Sequence, residues 1–476
     1  MTLRDQRFTL AAATLGSFVV LLDSTVVGIA LPAIGRDLGG GLETQQWIVN
    51  AYLLALGSLI LIGGSLGDVF GERRLFILGS AGFGLASAAC AIAPTVETLI
   101  AARGIQGAFG ALLTPASLAV IIAAFAPDER GKAIGTWTAF SGTAAVVGPL
   151  AGGWLVDSLG WRWIFVIGLP FIAGALLLAA RMPRAAPSRA GRRPDWLGAG
   201  LCALGLAGPT LGLVRQPGRG WSDALVAGPL VAGAVLFGLF LLWERHGAGD
   251  PMLSLGLFQR SNFAWGNLET LFVYGALGLL FFVLVVFLQQ VAGYSALKAG
   301  AATIPTTVVL FLLSKRFGAR ADRVGPRRFM AAGPLVSAGG VLYLLATIDE
   351  SPDLLVDVLP GMTIFALGLA TLVSPLTEAV LADADESDAG IASGVNNAVA
   401  RVAGLLATAA VGTLAGGTLD LGGLRMALAA TAALLVLGGL TGLFGIRDTR
   451  PARVVAPARI GAGIVMSQIP PPPGPR

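Results

Sequence analysis

The sequence predicts an all-α integral membrane protein of fourteen transmembrane helices, and three observations carry that expectation. Hydrophobic residues make up 55% of the 476-residue chain and charged residues only 12%, about half the charged share of a soluble protein. Mean hydropathy is +0.79. The apolar residues fall into stretches of about 20, the length that spans a bilayer as a helix. The Lys and Arg residues gather on one side of those stretches.

The stretches cover residues 8 to 30, 46 to 66, 75 to 93, 97 to 124, 133 to 157, 161 to 180, 196 to 214, 223 to 243, 263 to 290, 298 to 314, 329 to 347, 355 to 382, 389 to 414 and 426 to 446. Each is expected to be helical, because unpaired backbone N–H and C=O groups cannot face hydrocarbon. The first runs too long for a cleaved signal and has no small-residue cleavage site before polar sequence. Pro32 is expected to close it. With the N-terminus inside, 24 of the 32 Lys and Arg residues lie on inner segments and six on outer loops. Such an asymmetry places both termini in the cytoplasm and the protein in the cytoplasmic membrane. The acidic inner loop Asp383, Asp385, Glu386 and Asp388 does not reverse this, since acidic residues weigh little in that rule.

Several function classes fall away on the same grounds. Cys90 and Cys202 lie inside apolar runs and His246 is the sole histidine, so neither a disulfide framework, a zinc site nor a His-centred triad can be assembled. No metal and no cofactor is expected. The basic residues sit in short loops rather than on one soluble face, which argues against nucleic acid. The nearest approach to a phosphate-binding loop is Gly131-Lys132, with Ala126 and Ala133 where Gly and Ser or Thr belong, so ATP is not expected either. A membrane-embedded enzyme or receptor would need a nucleophile or an extramembrane domain, for which the short loops leave little room. The expected partners are the lipid bilayer and a small hydrophobic substrate, with the protein a monomer.

A repeat divides the chain. Gly64, Asp68, Gly71, Arg73 and Arg74 follow the second stretch, and Gly318, Asp322, Gly325, Arg327 and Arg328 follow the tenth at identical spacing. Pro115, Gly131 and Gly135 are echoed by Pro375, Gly390 and Gly394. The offset exceeds what six spans fill, and the surplus equals the two spans from 196 to 243. The expected plan is two pseudo-symmetric six-helix halves plus two inserted helices. Residues 1-181 form the first half, 182-261 the inserted segment with a basic inner loop, and 262-447 the second half. Residues 448-476 form a disordered, Pro-rich cytoplasmic tail.

These motifs resemble those of the major facilitator superfamily, and within it the fourteen-helix drug:proton antiporters, over residues 8 to about 447. Gly64 to Arg74 resembles the loop motif between helices 2 and 3. Leu22-Asp23-Ser24-Thr25-Val26-Val27 with Ala30-Leu31-Pro32 is similar to the first-helix signature, except that Gly28 stands where Asn is usual. Arg103-Gly-Ile-Gln106-Gly107 is similar to the fourth-helix motif, and Gly148-Pro149-Leu-Ala-Gly152-Gly153 to the antiporter motif of helix 5. The resemblance implies two halves rocking about a central cavity, with protons entering as substrate leaves. It leaves open a proton symporter, or an exporter of one endogenous metabolite, on the same scaffold.

Charges inside the membrane are the strongest functional signal, since each costs about 2.5 to 3.5 kcal/mol at a helix centre even on mild scales. Asp23 lies ~13 Å from Pro32 and Arg103 ~9 Å from Glu97 at 1.5 Å per residue, depths compatible with contact. Burial penalises the carboxylate and a nearby guanidinium stabilises it, so separating or hydrating the pair can change its protonation. Asp23 and Arg103 are therefore the candidate proton-coupling pair, with a static ion pair as the alternative reading. Arg103, Gly107, Gly110 and Thr114 share one helix face, the glycines there for close packing. On the fifth stretch, Pro149 is expected to kink the helix, with Gly148, Gly152 and Gly153 allowing close contact with the other half. In the repeated loops, Asp68 is expected to meet a helix dipole of the other half. Arg73 and Arg74 would pair with acidic groups nearby, and Asp322, Arg327 and Arg328 would serve the second half, together forming a conformational latch. Glu269, Asn396, Asn397 and Arg401 are candidates to bind substrate or stabilise the cavity. Trp137 and Phe140 are among the aromatics that could hold a flat cation. Gln289 and Gln290 are expected to cap the outer end of their helix.

Overall fold

A computed structural model describes residues 3–182, 194–247, 251–382 and 389–448. The acidic loop and the Pro-rich tail fall outside them. Among the described residues all regular structure is helical. Fourteen apolar segments cross the molecule: α1 (Leu3–Leu38), α2 (Leu42–Phe70), α3 (Glu72–Ala91), α4 (Val96–Ala124), α5 (Pro127–Ser158), α6 (Trp163–Ala179) and α7 (Trp196–Arg219). They continue as α8 (Ala224–His246), α9 (Ser261–Gln290), α10 (Ala296–Val324), α11 (Arg327–Thr347), α12 (Leu354–Ala382), α13 (Ala389–Ala415) and α14 (Leu421–Gly445). Thirteen of the segments are long enough to span a bilayer, and α6 is the shorter one. With an even number of crossings the two chain ends share a side, here termed the terminal side; the opposite one is the far side.

Local chemistry sets the ends. Thr95 and Thr98 cap the start of α4 reciprocally, and Asp195, Asp223, Ser295 and Asp420 accept from backbone N–H groups one to three residues into α7, α8, α10 and α14, supplying partners that a helix start lacks. The prolines explain where helices break and where they do not. α6 restarts at Leu169 and α10 at Ile304, each with Pro at its second position, because Pro cannot donate to the preceding turn. α1, in contrast, continues through Pro32 to Leu38, so Pro32 does not close it. The ring of a helical Pro crowds the carbonyl four residues back. Here that residue is Gly28, with no atom within 4 Å of where a Cβ would stand, and the backbone can tilt. α5 is interrupted at Thr143 rather than at Pro149.

Packing repeats between the halves. α2 and α3 both pack on α4, and α1 packs on α5 and α6. In the same way α10 and α11 pack on α12, and α9 on α13 and α14. The halves join at two seams related by that repeat, α2 with α13 and α5 with α10, with α1 meeting α9 between them. α8 packs on α7, and α7 lies against both α2 and α13. The inserted pair therefore covers one seam.

The repeated loops are equivalent down to single contacts. Gly71 and Gly325 end α2 and α10 at φ +91 and +94, a region open to glycine, and each donates its N–H four residues back at 2.8 Å. Gly64 faces Pro115 of α4, and Gly318 faces Ser374 of α12, next to Pro375.

Candidate functional site

The first half buries one polar cluster. α1 brings Asp23 and α4 brings Arg103, 5% and 2% exposed, with Arg103 Nη1 at 2.7 Å from Asp23 Oδ2. Gln106, one turn along α4, donates to Asp23 Oδ1 at 2.9 Å and to Ser87 Oγ of α3 at 2.7 Å, and accepts from Arg103. Arg103 Nε donates to the Ile48 carbonyl of α2 at 3.3 Å, and its guanidinium lies 4.3 Å from the Tyr52 ring centroid. Both carboxylate oxygens and the Nε and Nη1 of the guanidinium are thus engaged by groups of α1, α2 and α4, while Ser87 of α3 holds Gln106. Glycine makes the approach possible: a Cβ on Gly107 would strike the Tyr52 carbonyl. A void of about 10 Å³ reaches Asp23 between α1, α3 and α6, the size that admits one water molecule. A pair so enclosed can hold its charges only while the geometry persists.

The seams carry the second set of contacts. Gly148 and Gly152 face Thr25 and Val26 of α1, whereas a Cβ on Gly153 would come within 2.5 Å of Leu297 Cα on α10. Thr307 of α10 donates to the Ala145 carbonyl at 3.1 Å, the carbonyl that Pro149 cannot pair within its own helix. Asp157, at the far end of α5, accepts from the Ala296 and Leu297 N–H groups at 3.0 and 2.9 Å. On the other seam, Gln46 of α2 donates to the Thr408 and Ala409 carbonyls of α13 at 2.8 and 2.9 Å. Gln289 does not cap α9 but donates at 2.9 Å to the Ile29 carbonyl of α1. These hydrogen bonds between α1–α6 and α9–α14 lie in the far half or near the middle of the molecule.

The remaining candidates are placed as follows. Arg73 donates to the Ala179 and Ala180 carbonyls at the end of α6, both at 3.0 Å, and Arg327 to Leu443 near the end of α14 at 2.8 Å. These arginines meet helix ends of their own half rather than acidic groups, because terminal carbonyls are unpaired and carry the negative end of the dipole. Asp322 lies against Glu378 of α12, and Asp68 is close enough to Glu72 to interact electrostatically. Trp137 donates to Ser17 of α1 at 3.0 Å, and Phe140 is exposed. Asn396 donates to Asn267 and Thr270 of α9 at 3.1 and 2.8 Å, while Asn397 is exposed and donates to Ser393 in its own helix. Arg401 is half-buried, its Cβ 3.3 Å from where a Gly57 Cβ on α2 would stand. Glu269 is fully buried within the second half.

Sequence reading overlooked Gln106, Asp157 and Gln46 as contact residues. Gln106 was legible as a polar residue three positions from Arg103, on the same face. Asp157 and Gln46 partner backbone groups of the other half, which no residue type announces.

The Major Facilitator Superfamily model matches residues 13–408. The chain belongs to the Major Facilitator Superfamily. It is a multi-pass membrane transporter, not an enzyme. Similar members include the puromycin resistance protein pur8 of Streptomyces alboniger, 37% identical over 84% of this chain and 80% of the relative. The tetracenomycin C resistance and export protein of Streptomyces glaucescens is 34% identical over 85% and 75%, and the multidrug resistance protein Stp of Mycobacterium tuberculosis (strain CDC 1551 / Oshkosh) 32% over 86% and 76%. Among solved structures, a POT family peptide transporter superposes with a TM-score of 0.70 at 13% identity over 92% of this chain and 95% of that one. A D-xylose-proton symporter gives 0.67 at 15% over 93% and 98%. The superfamily fold is thereby shared with solved transporters.

Proposed function

We propose that the protein is a proton-coupled exporter of small hydrophobic, cationic drugs or antibiotics across the cytoplasmic membrane, with both termini in the cytoplasm. The observation that carries this reading is the Asp23–Arg103–Gln106 cluster, a carboxylate sealed on a guanidinium inside an apolar half. A proton arriving on Asp23 neutralises the carboxylate and leaves Arg103 without its counter-charge, so the closed arrangement loses its main electrostatic support. A cationic substrate competing for Asp23 would displace that proton. Antiport follows if proton and substrate exclude one another at one carboxylate. The relatives that confer resistance to, or export, puromycin and tetracenomycin C support export as the direction.

The test is efflux of ethidium from proteoliposomes under an imposed pH gradient without ATP. Export abolished by a protonophore, and lost in Asp23→Asn, is expected; uptake in place of export would refute the reading. A narrower cargo is the second reading, favoured because relatives include a cephamycin export protein of Amycolatopsis lactamdurans and a probable actinorhodin transporter of Streptomyces coelicolor. A panel of chemically unrelated cations separates the two.

A further inference from the structure

Glu269 is the most deeply sealed acid among the described residues. Its relative exposure is 0%, and neither carboxyl oxygen has a hydrogen-bond partner. On the helix its neighbours three back and four ahead are Gly266 and Val273, which share its face. Gly266 packs on Val380 of α12, and Val273 on Gly438 of α14. Glu269 therefore lies in the interior of the second half, on the side of α9 that meets α12 and α14.

None of the charged groups on the surrounding helices hydrogen-bonds Glu269. Glu378 of α12 lies against Asp322 and Gly318 of α10. Arg401 of α13 abuts α2 in the other half and is within electrostatic reach of Tyr274, five positions along α9 from Glu269, and on α1, which also meets α9, Asp23 is paired with Arg103. Arg425 occupies the far end of α14, and Arg327 and Arg328 the terminal end of α11. Arg260 precedes the first residue of α9, nine positions and so ~13 Å along the axis. Lys315, Arg316, Arg320 and Arg323 lie on α10 beyond Ile304, whereas α9 packs on its first turns, Ala296–Ala301.

An ionised carboxylate with neither a cation nor a donor in such a place costs several kcal/mol, whereas a neutral acid forfeits only an ordinary polar penalty. α9 is also a moving part in any rocking of the halves, because Gln289 at its far end holds the Ile29 carbonyl of α1. One face away, Asn267, Thr270 and Asn396 form a polar ladder between α9 and α13, a route by which water could reach α9 when these two helices part.

We propose that Glu269 is a second proton-binding group of the transport cycle, in the half opposite Asp23. It holds a proton in the arrangement described here and releases it, acid to carboxylate plus free proton, when motion of α9 admits water. The inference rests on the proton-coupled reading for its role but not for its first readout.

The experiment is infrared difference spectroscopy of the full-length protein in lipid, titrated from acid to alkaline pH. Wild type and Asp23→Asn should both show a carboxylic acid C=O band that is absent from Glu269→Gln and disappears as pH rises. A band that persists at every pH at which the protein stays folded would make Glu269 a fixed structural acid and overturn the proposal, as would a band unchanged in Glu269→Gln. Glu269→Leu controls for packing, since a structural role predicts a stable and active leucine variant. In proteoliposomes, Glu269→Gln should lower the protons moved per ethidium exported. An unchanged count alongside protonophore-sensitive export defeats only this inference; protonophore-insensitive export in wild type defeats the antiport reading instead.

Discussion

At the scale of single residues, Asp23 is held by two neighbours whose removal has different consequences. Arg103→Ala leaves a buried carboxylate uncompensated, which costs roughly 3 to 5 kcal/mol, so a loss of thermal stability together with a loss of export is expected. Asp23→Asn keeps the shape and most hydrogen bonds but cannot take up a proton. Its melting temperature should fall less than that of Arg103→Ala, while proton-driven export is lost; differential scanning fluorimetry beside an ethidium efflux assay checks both. Gln106→Leu strips Asp23 Oδ1 and Ser87 Oγ of their shared donor, a penalty of about 1 to 3 kcal/mol. Because Arg103 still pairs with Asp23, export should weaken and its pH profile shift, rather than vanish.

At the scale of elements, the far-side seam between α5 and α10 is built from a carboxylate on two N–H groups and a glycine against a backbone. Hydrogen bonds to a charged group contribute about 1.5 to 3 kcal/mol, so Asp157→Ala should raise the population open at the far side by tenfold or more. Spin labels at Ser158 and Lys298 would report this as a longer distance component by electron–electron resonance. An unchanged distribution would show that Asp157 is not what holds the seam. Gly153→Leu acts in the same sense through volume, since its Cβ alone would meet Leu297. The element boundaries also show what prolines do in a bilayer. Pro32, Pro149, Pro170 and Pro305 are alike in the sequence, yet α1 runs through the first, α5 breaks six residues before the second, and α6 and α10 restart at the last two. The outcome depends on whether the freed carbonyl can tilt beside a glycine, as at Gly28, or finds another donor, as Ala145 finds Thr307.

At the scale of the whole molecule, the two seams are equivalent in sequence but not in surroundings, because α7 lies along the α2–α13 seam. Thr413 of α13 donates to the Leu213 carbonyl of α7 at 3.2 Å, and Pro217 packs near Gly412. The α2–α13 side is therefore tied across both halves and the α5–α10 side is the freer one. The basic residues predict cytoplasmic termini: a fluorescent protein fused at either chain end should fluoresce, and alkaline phosphatase there should be inactive. Fluorescence lost at both ends with active phosphatase would invert the topology.

The sequence by itself determined the number of crossings, the duplicated halves, the inserted pair and the identity of the buried acid and guanidinium. Each of these is written in side-chain chemistry at fixed spacing, and lipid forces the backbone between them to be helical. Only the tertiary structure decided the rest. It made Gln106 the bridge of the pair, sent Arg73 and Arg327 to helix ends, turned Gln289 and Asp157 across the seam and left Glu269 with no partner. The partners of these residues are mostly backbone N–H and C=O groups, which every residue carries, so which of them lies within reach is fixed by how the helices pack.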